Sequence, residues 1–196
     1  LEKAFGGTLP TLLEVRFVSS NEHKIREAAA ILEPVGVAVI SSAIKIEELQ
    51  TKETERLVRD KVMKAFQSIG RPLFVEHTGL YLEHLNGFPG GLTQIFWDTL
   101  GADLFSELFG RLAPVKTAIA RTVIGYCDGK KIHSFSGEIA GEIVPEPKGP
   151  RDFQWDCVFR PAGHSMTFAE MGDEKNKISM RRQALDKFAA HLGAGA

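Results

Sequence analysis

VRFVSSNEHKIREAAAILEPVGVAVI, residues 15–40, decides the fold class. VRFVS (15–19) is a short apolar run of strand length, and it stops in the polar segment SNEHK. Beyond it Ile25, Ala28, Ala29 and Leu32 recur at i, i+3, i+4 and i+7, the spacing of one helix face. Pro34 ends that helix, and VGVAVI (35–40) returns to a continuous apolar strand. Strand, polar loop, helix, strand is the beginning of an α/β fold.

The pattern continues outward. A second helix is expected over about 53–69, burying Leu57, Val58, Val62, Ala65, Phe66 and Ile69. PLFVE (72–76) is a strand whose apolar continuity places it centrally in a sheet, ending in a polar turn at 76–79. LYLEHL (80–85) alternates as a half-exposed segment would, and after NGFPGG come two short helical stretches, LTQIFWDTL and ADLFSELFGRL. KTAIARTVIGYC and IHSFSGEIAGEIV form a hairpin, with Asp128-Gly129 supplying the turn. PEPKGPRDFQWD and TFAEMGDEKNK read as loops, and a last helix buries Leu185, Phe188, Ala189 and Leu192. The polar loops at 19–24, 76–79, 149–156 and 172–181 are the expected walls of one cleft. No repeat, low-complexity tract or long linker divides the chain. The expected organisation is an N-terminal extension over 1–14 and one two-lobed domain over 15–196.

Composition narrows the function classes. The 196 residues are 43% apolar and 25% charged with a formal net charge of −1, an ordinary globular balance. That charge gives no support to nucleic-acid or membrane-surface binding. No apolar run approaches the roughly 20 residues that span a bilayer, and LEKAFGGTLPTLLE lacks the basic-then-apolar order of a secretory signal. Cys127 and Cys157 have neither metal-ligand nor redox spacing, so two buried free thiols in a reducing cytoplasm are expected.

Several polar groups carry possible chemistry, each beside a plainer role. SSNEHK precedes a helix whose first N–H groups lack partners, with Lys24 one turn in; the segment suits an anion, or Ser20 or Asn21 simply caps the helix. Lys61 lies on the long helix, where solvation is the default. Glu47, Glu48, Glu53 and Glu55 form an acidic edge, any of which suits a hard cation. In RDFQWDCVF (151–159), Phe153 and Trp155 can stack on a planar base and Asp156 can accept its N–H, although core packing explains the aromatics equally well. Lys175, Arg181 and Arg182 surround a helix start, where they suit phosphate or base carbonyl oxygens, or solvent.

Taken in order, these segments resemble the inosine triphosphate pyrophosphatase family, enzymes that remove deaminated purine nucleotides. FVSSNEHK resembles the family's T-x-N-x-x-K, and FVEHTGLYLEHLNGFPGG its E-D-S/T-G-L followed by L-x-G-x-P-G. RDFQWDCVFRPAGHSMTFAEMGDEKNKISMRRQAL resembles F-G-W/Y-D-P-x-F-x-P-x-G, then T-F/Y-A-E-M, then E-K-N-x-x-S-H-R-x-x-A-L. The resemblance spans about residues 15–192. It implies an elongated central mixed sheet, two lobes flanking a nucleotide cleft, and a homodimer. It assigns Ser19, Asn21, Lys24 and Lys61 to phosphates, and Phe153, Trp155, Asp156, Lys175 and Arg181 to the base. Glu48, or Glu47, would lie at Mg²⁺ with Glu76, which also belongs to the catalytic group.

The departures from that pattern cluster on the catalytic side. His77 stands where the family carries an aspartate that helps hold Mg²⁺, Gln94 where it carries a basic residue, Met180 in place of the histidine of S-H-R, and Cys157 in place of proline. Mg²⁺ prefers hard oxygen ligands, for which an imidazole is a poor substitute. The expected function is therefore binding of (d)ITP or (d)XTP with weak or absent hydrolysis, as a sensor acting on an effector protein, for instance in antiviral defence. The alternative is an active Mg²⁺-dependent pyrophosphohydrolase releasing monophosphate and pyrophosphate, with His77 as general base.

Overall fold

The computed structural model describes residues 13–193. Of the expected extension, residues 1–12 lie outside the described residues. Leu13 and Glu14 already belong to strand β1 (Leu13–Val18), paired with Val37 and Ala38. The chain then runs through α1 (Glu22–Leu32), β2 (Val37–Ser42), α2 (Thr54–Ile69), β3 (Leu73–Leu82), β4 (Phe88–Pro89) and α3 (Thr93–Phe105). A π-helical stretch, Ser106–Leu112, leads into β5 (Thr117–Cys127) and β6 (Ile132–Ile143). β7 (Phe159–Pro161), α4 (Phe168–Met171) and α5 (Met180–Gly193) complete it.

One seven-stranded mixed sheet holds all of this in the order β2-β1-β3-β5-β6-β7, with β4 against β3. β2, β1 and β3 are mutually parallel, and the others pair antiparallel. The expected hairpin is present: Asp128 Oδ1 accepts from the N–H groups of Lys130 and Lys131, both at 2.7 Å, and closes the turn. Strand alternation sorts the core. Phe74 and Ile124 face α1 and α5, packing with Phe17, Leu32 and Phe188. Leu73, Val75 and Val123 face the other way, onto Leu57, Val58 and Val62 of α2. Beyond them Leu80, Leu82, Phe105, Phe159 and Phe168 build the core of a second lobe on the distal half of β3.

Two expected loops are regular structure. Residues 76–79 do not turn; β3 continues through them because β5 offers an unbroken ladder from Leu73↔Cys127 to Leu82↔Ala118. Thr78 finds its partner within it, its Oγ1 lying 2.7 Å from Thr122 Oγ1 on the neighbouring strand. Gly79 is required at this crossing, since a Cβ there would stand 2.4 Å from the carbonyl oxygen of Gly90. Residues 80–82 show the expected alternation, with Leu80 and Leu82 buried and Tyr81 partly exposed. The second case is TFAEMGDEKNK, where Thr167 and Glu170 form a reciprocal capping box that starts α4. Among the described residues, no helix is long and apolar enough to cross a membrane. Cys127 and Cys157 are buried free thiols.

Candidate functional site

Parallel strands leave a crevice beyond their carboxyl ends, and here it lies beyond β1, β2 and the middle of β3. β1 runs out at Val18, and Asn21 caps α1 by accepting the N–H of Lys24 on Oδ1 at 3.1 Å. The Asn21 N–H donates to Ser19 Oγ at 3.2 Å, so the loop folds back on itself. That geometry places Ser19, Asn21 and Lys24 on one wall of a pocket of about 330 Å³, which Glu48, Lys61, Glu76, His77, Gln94 and Gln154 also line. The plainer cap role of Asn21 and its place in the pocket thus coexist.

The alternation of β3 splits Glu76 from His77. Glu76 follows Phe74 onto the α1/α5 face, where Arg181 Nε donates to its Oε2 at 2.8 Å and Nη2 to its Oε1 at 3.2 Å. Lys24 Nζ lies 3.2 Å from the same Oε1, and the Thr78 hydroxyl donates to it at 3.0 Å. Burial alone would raise this carboxyl, but Arg181 and then Lys24 outweigh it and hold Glu76 far below the carboxylate range. Burial pulls the Lys24 ammonium below its usual value, with Glu76 opposing. Both Glu76 oxygens accept hydrogen bonds, and Glu76 is the counter-ion of Arg181 and Lys24.

His77 points to the α2 face, toward Glu48 and Lys61. Its Nδ1 lies 3.7 Å from Glu48 Oε2, and its Nε2 is buried without a hydrogen-bond partner. Burial, followed by the Lys24 charge, lowers its pKa to about 4, so the ring is neutral near pH 7. Glu48, half exposed on the strand-to-α2 connection, pairs with the Lys61 ammonium, and Lys61 holds it below the usual carboxylate range against the effect of burial. The expected acidic edge is thus a partner of the long helix at Glu48.

Among the described residues, no three His, Cys, Asp or Glu side chains converge as a metal cage. The carboxylates at the first pocket are those of Glu48 and Glu76. They fit a cation delivered with phosphates, which commonly needs only one or two protein carboxylates. Glu48, solvent-accessible at 34% of its side chain, is the group able to reach it.

A second pocket, of about 260 Å³, adjoins the first along α1 and is lined by His23, Glu27, Phe153, Asp156 and Lys175 among others. Lys175 Nζ donates to Asp156 Oδ2 and lies 4.2 Å from the centroid of the Phe153 ring. Burial pushes the Asp156 carboxyl up while the Lys175 ammonium pulls it back. Phe153 also meets His23, with ring centroids 5.2 Å apart and the planes tilted by 60°. A flat apolar face beside a buried carboxylate and an ammonium suits a planar heterocycle with both donors and acceptors on its edge.

Trp155 and Arg181, also expected at the base, are placed differently from each other. Trp155 lines neither pocket; it is 2% exposed and packs on Phe159 and Phe168 in the second-lobe core, the plainer reading of that aromatic. Arg181 pairs with Glu76 and Glu27 and lines neither pocket directly, but its guanidinium carbon lies 5.8 Å from the centroid of the Phe153 ring. It lies beneath the pockets and ties their floors together. His23, Glu27 and Gln154 were not singled out from sequence. Glu27 had a signal, being three residues beyond Lys24 and so on the same helix face.

The Ham1 family profile matches residues 15–191. The chain is 37% identical over 179 residues to a dITP/XTP pyrophosphatase of Methanopyrus kandleri, covering 90% of this chain and 95% of that one. It is 39% identical over 180 residues to an inosine triphosphate pyrophosphatase of Fusarium vanettenii, again covering 90% and 95%. Among solved structures, a HAM1 protein from Coxiella burnetii superposes with a TM-score of 0.76 at 27% identity, over 92% of this chain and 98% of that one.

Proposed function

The chain belongs to the Ham1 family, and from that membership we propose that it binds a deaminated purine nucleoside triphosphate, (d)ITP or (d)XTP, across its two adjoining pockets while hydrolysing it slowly or not at all. The names of its relatives support the ligand class. Lys24 and Lys61 suit the triphosphate, and Phe153, Asp156 and Lys175 suit a base with a 6-keto edge. Mg²⁺ bound with the triphosphate would neutralise phosphate charge, with Glu48 as its protein contact.

The observation that carries the low turnover is the pair Glu76 and His77 in the lining of the first pocket. A buried imidazole lies 3.7 Å from Glu48, and both oxygens of Glu76 are engaged by cations and Thr78. The arrangement offers phosphate contacts and leaves few free carboxylate oxygens to place a metal and an attacking water. Loss of a positioned base costs about 10²–10⁴-fold in rate. The use we infer for a slow binder is sensing, in which the ligand favours one state of a complex with an effector protein, such as one in antiviral defence.

Pyrophosphate release and thermal shift, measured on one sample with ITP, dITP, XTP, ATP and GTP, test the reading. Stabilisation by the deaminated purines with release at least about a hundredfold slower than in an active relative is expected. The relatives' names favour a second reading, an active Mg²⁺-dependent pyrophosphohydrolase. Turnover matching such a relative, abolished by His77→Ala with binding intact, would decide for it. Under the first reading His77→Asp gains activity instead.

A further inference from the structure

Gln154 joins the two pockets and differs from its neighbours in both backbone and direction. Its φ is +45°, one of two positive values at non-glycine residues among those described. A residue with a Cβ is seldom held there unless its surroundings require it, and such outliers gather at ligand sites. The left-handed turn has a visible result. Phe153 and Asp156 line the second pocket, whereas the Gln154 side chain lines the first. Its position is therefore between the group that would meet a base and those that would meet phosphates.

The carboxamide is also oriented. Gln154 Nε2 donates to Gln94 Oε1 at the start of α3, and Gln94 Nε2 donates to Asp98 Oδ1 at 2.7 Å one turn on. With its own N–H₂ held by Asp98, Gln94 can only present oxygen to Gln154. That fixes the flip of Gln154 and leaves its carbonyl oxygen as an acceptor. A second tie holds the same loop to α3, where Arg151 makes two 2.9 Å bonds with Asp103. Loop and helix thus form a braced frame around Gln154.

We propose that Gln154, oriented by Gln94, is the sugar-reading residue of this site, its carboxamide contacting a ribose hydroxyl of a nucleotide laid across the two pockets. The inference rests on the nucleotide reading given above. In a nucleotide the sugar lies between base and phosphates, and it is the part with hydroxyl donors to satisfy an amide oxygen. Gln94 is a positioning residue here, acting through Gln154.

The test is a cycle between protein and ligand. Calorimetry would measure binding of the α,β-methylene analogues of ITP, 2′-deoxy-ITP and 3′-deoxy-ITP to the wild type, Gln154→Gly and Gln94→Ala. Glycine accepts the positive φ, so that variant removes the contact without straining the turn. Removal of the contacted hydroxyl should weaken wild-type binding roughly five- to tenfold and leave Gln154→Gly almost unaffected. Gln94→Ala should show part of the same coupling. Wild-type binding in which both hydroxyl deletions act equally on wild type and Gln154→Gly overturns the sugar assignment alone. Wild type that binds none of the analogues overturns the nucleotide reading and this inference with it.

Discussion

Glu76 is 4% exposed and accepts bonds from Arg181 and Thr78, with the Lys24 ammonium also in contact. Removing one partner of a buried ion pair leaves the other charge uncompensated, at about 3–5 kcal/mol. Glu76→Gln should lose stability of that order in urea unfolding, far beyond the few tenths expected of an exposed carboxylate. His77 gives a separate, pH-dependent result. Its folded pKa of about 4 lies below the unfolded value near 6.5. The folded state therefore resists the proton that the unfolded chain accepts. The associated stability is intact above about pH 6.5 and is lost progressively as pH falls toward 4, by roughly 3 kcal/mol in all. Unfolding free energies at pH 7, 5.5 and 4.5 should fall less steeply in His77→Gln than in the wild type. Parallel curves would remove His77 from the acid limb.

At the scale of elements, α4 shows how a short helix shapes a pocket. Four residues cannot form a stable helix alone, and Phe168–Met171 depends on the Thr167–Glu170 capping box. The buried Thr167 hydroxyl also lies 2.9 Å from the carbonyl oxygen of Lys148, tying the helix to the loop that leads into Phe153. Phe168 and Ala169 in turn line the second pocket. Thr167→Ala should cost about 1–2 kcal/mol by thermal unfolding and weaken base binding with it. Thr167→Ser, which keeps the hydroxyl, should recover most of both. A valine at the same place, similar in shape but without the hydroxyl, should behave like alanine.

Across the whole molecule, the two pockets are joined by one ion network. Lys24 and Glu76 face the first; Glu27, Asp156 and Lys175 face the second; Arg181 connects them from beneath. A ligand touching both pockets stabilises only the folded state, by about 2.7 kcal/mol at a hundred times its Kd. For a domain of this size the midpoint should rise about 5–10 °C with dITP. ATP should raise it much less, since a 6-amino edge leaves a buried acceptor or donor unpaired. Asp156→Ala should reduce the selectivity, and Lys24→Ala should weaken dITP and ATP together.

Local grammar made the α/β order, the hairpin, the cap at Asn21 and the cluster around Lys24 readable, because each rests on residues within a few positions of one another. The similarity of whole segments to a family made most of the remaining pocket residues nameable. Tertiary structure decided what local grammar cannot carry. Glu76 meets Arg181 across 105 positions of sequence, which commits a carboxylate that the chain alone leaves free. Trp155, an aromatic in a polar loop, entered the core because the second lobe had an apolar space for it. Residues 76–79 stayed extended because β5 lay alongside to pair them. Gln154 acquired its direction from a left-handed backbone and from Gln94, 60 positions away. Short-range order follows from backbone preference and hydrophobic period, but the state of a charge or amide depends on which distant group the fold brings to it.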